Sequence, residues 1–172
     1  MKLFNQSHFQ KMPWKNGGGT TLELFSIRNK NGDILFRLSS AEVNQDGPFS
    51  IFPNIDRILF LLEGQGFQLT FPDKQIVMNQ FLKPISFKGE EVIQCDLIGG
   101  ACSDFNIMAD RDYGKSSLSF RKLLFGDELT AMTTYLFIYL PNEKKLFQLE
   151  KNEVYNHDAH ETQAFIVDLK LK

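Results

Sequence analysis

Residues 12–20 read MPWKNGGGT, which sets an indole, a cation, a carboxamide and three consecutive glycines ahead of a threonine. A phosphate-binding loop needs Lys and Ser or Thr after its last glycine, followed by a helix whose N-terminal amides face the anion. Here Lys15 precedes Gly17, Gly18 and Gly19, and the next residues, Thr20 to Phe25, are β-branched and alternating. The phosphate loop is excluded. Two readings stay open: a chain turning closely into a sheet, for which glycine is suited, or bare backbone flanked by stacking and hydrogen-bonding groups that hold a small polar or carboxylated ligand. Trp14, the only tryptophan, fits either as a packing anchor or as a ligand platform.

Three further stretches carry polar groups inside apolar runs. In FRLSSAEV, Arg37 and Ser39 share one strand face while Ser40 and Glu42 share the other. A guanidinium there either clamps a carboxylate bidentately or pairs with an internal acid. Asp56 and Arg57, after a proline-stiffened loop, form a local ion pair or rim a pocket mouth. Asp104 and Asn106 alternate with Phe105 and Ile107, which gives a polar face lining a cavity or meeting solvent.

Other chemistries are poorly supported. No G-x-S-x-G occurs; Cys95 and Cys102 lack the C-x-x-C spacing of zinc or redox sites. His157 and His160 stand three apart and would need a turn to chelate together. With 19 Lys and Arg against 21 Asp and Glu, a net charge of −2 gives no footprint for nucleic acid or an anionic membrane. The start, MKLFNQ, has no apolar h-region and no stretch approaches the roughly 20 apolar residues of a spanning helix, so the expectation is a soluble cytoplasmic protein with reduced thiols.

These groups must be positioned by strands. Seventeen phenylalanines recur in short runs with Ile, Leu and Val, punctuated by Gly, Pro, Asn and Asp. The runs predict strands at 21–27, 34–43, 57–64, 67–71, 75–78, 92–98, 104–108, 118–125, 134–140, 145–150 and 163–171. Gly64-Gln65-Gly66 is expected to close a hairpin, and SHFQKM and GDELTAM to form single helical turns. The fold class is all-β, a sandwich or barrel, with a second unit beginning near ADRDYGKSS at 109–117.

MPWKNGGGTTLEL, FRLSSAEVNQDGPFSIFPNIDRILFLLEGQGFQL and LIGGACSDFNIMADR together resemble the HutD/Ves family of bacterial cupin-type proteins, closely over residues 12–111. The resemblance implies a bicupin: two small antiparallel, jelly-roll-like β-barrels, one over 1–112 and a divergent one over 113–172, with which the N-terminal segment pairs. Where a usual cupin carries an H-x-H metal pair this chain has Asn54-Ile55-Asp56-Arg57, so neither metal nor cofactor is expected. The family links the chain to histidine utilisation, with a formylglutamate- or urocanate-like ligand, or in its Ves branch to stress response.

Carried onto this sequence, the family pocket draws Trp14, Lys15, Asn16, Gly18 and Thr20 from the first motif. It draws Arg37, Ser39 and Glu42 from the second, with Arg57, Asp104 and Asn106 at mouth or floor. The expectation is a non-catalytic sensor in which Lys15 and Arg37 neutralise a ligand carboxylate and Asn16, Ser39 and Asn106 orient it. The rival is a metal-independent isomerase, lyase or hydrolase using Glu42 as general base. The divergent C-terminal half is expected to be structural or the surface of a homodimer.

Overall fold

The structure is a computed structural model, and it describes residues 1–81 and 83–172. It divides into two compact units, Gln10–Asp112 and Met1–Phe9 with Tyr113–Lys172. Among the described residues no helix is long and apolar enough to cross a membrane.

The chain starts with β1 (Lys2–Phe4) and a single 3₁₀ turn, Gln6–His8, capped by Asn5. The unit that follows carries β2 (Gln10–Pro13), β3 (Gly19–Arg28), β4 (Ile34–Val43), β5 (Gly47–Pro48) and β6 (Ile55–Glu63). It continues with β7 (Phe67–Thr70), β8 (Gln75–Met78), β9 (Ile85–Lys88), β10 (Gln94–Leu97) and β11 (Cys102–Asp110). Two antiparallel sheets result, ordered β2-β3-β4-β11-β6-β9 and β5-β10-β7-β8. Both sheets contribute to one core, in which Val43, Leu59 and Leu61 of the larger sheet meet Phe67, Leu69 and Met78 of the smaller. Burying each such side chain stabilises the fold by about 1.5–3 kcal/mol, and the alternation of Phe67 and Leu69 with Gln68 and Thr70 directs it.

β4 pairs with β11 residue for residue from Phe36–Ala109 to Val43–Cys102, so parity read from the sequence carries straight across the ladder. β3 instead bulges between Glu23 and Phe25, which pair with Ser39 and Leu38. The extra residue, Leu24, is the one that turns the faces of β3 over.

The other unit pairs β1 with β15 (Lys145–Glu150), continuing through β14 (Tyr135–Leu140) and β17 (Thr162–Leu171) to β12 (Gly114–Leu123). A short ladder joins β13 (Glu128–Thr130) to β16 (Val154–Asn156). Its core gathers Leu123, Leu136, Ile138, Leu140, Leu149 and Ile166.

The hydrogen-bonded ladders of the described residues are open sheets with edge strands, and no closed barrel is found among them. Two sequence expectations change. Gly64-Gln65-Gly66 closes no hairpin: β6 and β7 lie in different sheets, and the connection switches between them. Gly66 has φ +97, and a Cβ there would lie 1.8 Å from the Met78 carbonyl oxygen, so the bend needs glycine. Within GDELTAM, Glu128–Thr130 form the strand β13, fixed by pairing with β16, rather than a helical turn.

Candidate functional site

Part of the inner face of the large sheet in Gln10–Asp112 is polar where a core would be apolar. Register sets the residues in rows: Arg37, Met108 and Arg57 stand side by side, then Ser39, Asn106 and Leu59, then Ala41, Asp104 and Leu61. Arg37, Arg57, Asp104 and Asn106 line a cavity of about 260 Å³, walled by Phe49, Phe52 and Cys95 and edged by Trp14 and Asn16.

Arg57 is 6% exposed. Its guanidinium carbon lies 4.9 Å from the ring centre of Phe87, 5.2 Å from Phe49 and 5.7 Å from Phe52, and that of Arg37 lies 5.5 Å from Phe52. Ring faces attract these cations but accept no conventional hydrogen bond. Among the described residues no carboxylate forms an ion pair with either arginine; the expected partner, Asp56, is exposed and pairs with Arg111 at 3.0 Å.

Among the described residues, five buried side-chain atoms find no hydrogen-bond partner: Arg37 Nε, Arg57 Nε, Ser39 Oγ, Asp104 Oδ1 and Asn106 Oδ1. All five belong to this floor. Each unpaired buried polar group costs about 1–3 kcal/mol, so five together mark a place built to meet something polar.

The electrostatics follow from burial. Loss of water lowers Arg57 to about 10 and lowers Arg37 in the same direction, although Asp104 opposes the shift on Arg57 and Glu23 that on Arg37. Asp104 is pushed up to about 7 by burial, against the pull of Arg57 and Arg37. Burial likewise raises Cys95 to about 12 and Cys102 to about 11, which leaves both as thiols without nucleophilic character.

The glycine stretch holds the rim. The Trp14 indole N–H donates to Thr21 Oγ1 at 2.9 Å, and the Gly18 amide donates to Asn16 Oδ1 at 3.0 Å. A Cβ at Gly19 would meet the Glu42 carbonyl oxygen at 2.3 Å and the indole at 3.0 Å. The indole therefore packs closely against bare backbone.

The structure brings together Trp14, Asn16, Arg37, Arg57, Asp104 and Asn106 around the cavity, with Ser39 in the floor beneath. It does not bring in four others proposed from the sequence. Lys15 is exposed and outside the lining, because the turn points it away. Glu42 is exposed and of the opposite parity to Arg37, with no bulge in β4 to rotate it inward, so its expected place in the pocket is corrected. Thr20 pairs with Glu42, leaving Thr21 to line the cavity, and Gly18 is buried below the loop.

Sequence reasoning missed Glu23, buried beside Ser39, where the bulge of β3 places it; it accepts from Arg28 Nη2 at 2.8 Å and Ser26 Oγ at 2.7 Å. It also missed the cage of Phe49, Phe52 and Phe87, for which the density of Phe around DGPFSIFP was the available signal.

A cupin metal does not fit these residues. Asn54 spends its amide on Asp110 at 3.1 Å and Asp112 at 3.0 Å, Asp56 is on the surface, and no described group of three or more His, Cys, Asp or Glu is placed to hold an ion. In the other unit, His157 Nε2–H donates to the His160 carbonyl at 2.8 Å, which leaves Nδ1 to accept from the Tyr155 hydroxyl at 3.0 Å.

Compared with known proteins, the sequence matches the HutD family over residues 6–169. The chain belongs to the HutD family. An uncharacterised 21.2 kDa protein in the hutC 3′ region of Pseudomonas putida is 35% identical over 115 residues; the match covers 63% of this chain and spans 57% of that relative's length. HutD is thereby linked to histidine utilisation genes.

Among solved structures, HutD from Pseudomonas fluorescens SBW25 superposes with a TM-score of 0.81 at 22% identity, covering 99% of this chain and 98% of its own. A conserved protein of unknown function from Pseudomonas aeruginosa PAO1 gives 0.78 at 23%, covering 99% and 98%. Oxalate decarboxylase gives 0.69 at 7%, covering 99% and 77%. At these identities the likeness is one of fold: all-β and cupin-like.

Proposed function

We propose that the Gln10–Asp112 unit binds a small carboxylated metabolite and that the protein is a non-catalytic sensor or regulator linked to histidine utilisation, with formylglutamate- or urocanate-like acids as first candidates. The observation that carries this is the set of five unpartnered buried atoms on one floor, two of them on arginines without a carboxylate. Guanidinium matches carboxylate geometry bidentately, Ser39 and Asn106 fix orientation, and Trp14 and Phe52 supply apolar walls. Arg57 takes the role first given to Lys15. An enzyme using Glu42 as base is not supported, since that carboxylate faces away from the cavity.

In the same reading the two units are the halves of a cytoplasmic bicupin, and the half containing Tyr113–Lys172 is the structural one or the face of a homodimer. Thermal denaturation tests the ligand. At about 100 times its Kd a ligand adds roughly 2.7 kcal/mol, a rise in Tm of about 5–10 °C for a chain of this size. No rise with either formylglutamate or urocanate at millimolar concentration would sink the proposal.

A further inference from the structure

Asp104 stands on the floor of the cavity at 3% exposure, under the charges of Arg37 from β4 and Arg57 from β6, and makes no ion pair with either. Its Oδ1 has no hydrogen-bond partner. The other ionisable groups around the floor are committed elsewhere. Glu23 of β3 is held by Arg28 and Ser26, and Asp46, after β4, accepts from the Leu97 amide at 2.7 Å. Cys95 of β10 and Cys102 of β11 are kept as thiols by burial. No histidine occurs within Gln10–Asp112.

An anionic ligand between the two arginines changes what Asp104 experiences. A second carboxylate beside a buried one disfavours its ionisation, whereas the neutral acid offers an O–H that donates to a ligand oxygen. We propose that Asp104 enters the complex as a neutral carboxylic acid whose O–H donates a hydrogen bond to the ligand carboxylate, so that the site takes up a proton with the anion whenever Asp104 is ionised in the free protein. This rests on the reading of the cavity as a carboxylate site and makes Asp104 its specificity-determining residue: it admits an acceptor and repels a charge as soon as it ionises. The burial that lifts its pKa to about 7 places the effect at neutral pH.

The sign follows from linkage. Well below pH 7 Asp104 is already protonated in the free protein, binding takes up no proton and affinity is at its highest. Above pH 7 the free protein has lost the proton that the complex keeps. Affinity then falls by up to about tenfold per pH unit, with about one proton taken up per ligand.

Calorimetric titration of the whole chain with formylglutamate, whose carboxylates are ionised throughout pH 6–8.5, reads this directly in buffers of differing ionisation enthalpy. Uptake near one proton at pH 8 and near zero at pH 6 is the expected result, with Asp104→Asn binding the ligand without uptake. Binding with flat affinity and no uptake at pH 8 overturns the proposal and leaves the carboxylate site standing, as does uptake that persists in Asp104→Asn. No binding of formylglutamate or of urocanate at either pH overturns both.

Discussion

The two units resolve buried polarity in opposite ways. In the half containing Tyr113–Lys172, His157 is 1% exposed and both ring nitrogens are satisfied, by Tyr155 and by the His160 carbonyl. In Gln10–Asp112, five buried polar atoms are left without partners on one sheet face. Both arise from alternating strands with comparable apolar cores, so the difference is not one of fold. An interior that only has to be stable satisfies its polar groups, because each orphan costs about 1–3 kcal/mol; an interior that keeps them unsatisfied is shaped for an occupant.

This contrast can be broken by mutation. The largest effect is expected in the satisfied half: Leu149→Ala removes a fully buried side chain of its core and costs about 2–5 kcal/mol by denaturant unfolding. Arg57→Met separates stability from binding. It deletes a buried cation that has ring contacts but no carboxylate, so the unliganded protein should gain about 1–3 kcal/mol, while carboxylate affinity drops by about 2–5 kcal/mol. Loss of both would show that Arg57 is structural and would erase the contrast.

Gly19→Ala pushes a Cβ toward the Glu42 carbonyl oxygen and the indole, costing about 1–3 kcal/mol and weakening binding through the displaced Trp14. Asp104 gives a pH-dependent term, smaller per pH unit. Its folded pKa of about 7 lies above the unfolded value of about 3.9, so the native state holds more protons between those limits. Stability from this group therefore falls as pH rises from about 4 to about 7, by at most about 1.4 kcal/mol per unit, and Asp104→Asn should remove that slope in urea midpoints taken across the window. Smallest of all, Lys15→Ala should change stability and affinity by less than about 0.5 kcal/mol.

Much of this is legible in the sequence wherever period two runs unbroken. The span 34–43 read from alternation coincides with β4, and 75–78 with β8; the sharing of a face by Arg37 and Ser39, and by Asp104 and Asn106, follows from parity alone. What escaped has physical reasons. β1, β2, β5, β9, β13 and β16 are two to four residues long and exist because a neighbour offers a ladder. Glu23 was hidden by a bulge that only pairing with β4 reveals. The aromatic cage of Arg57 joins Phe49, Phe52 and Phe87 through tertiary packing, and no spacing encodes it.

The central claim is that the unsatisfied floor of Gln10–Asp112 is the binding site. Crystals of the protein grown with formylglutamate test it most directly. The account predicts ligand density in the cavity, with a carboxylate within hydrogen-bond distance of both the Arg37 and Arg57 guanidinium groups. Ligand bound elsewhere, with those two arginines still without an oxygen partner, would contradict it.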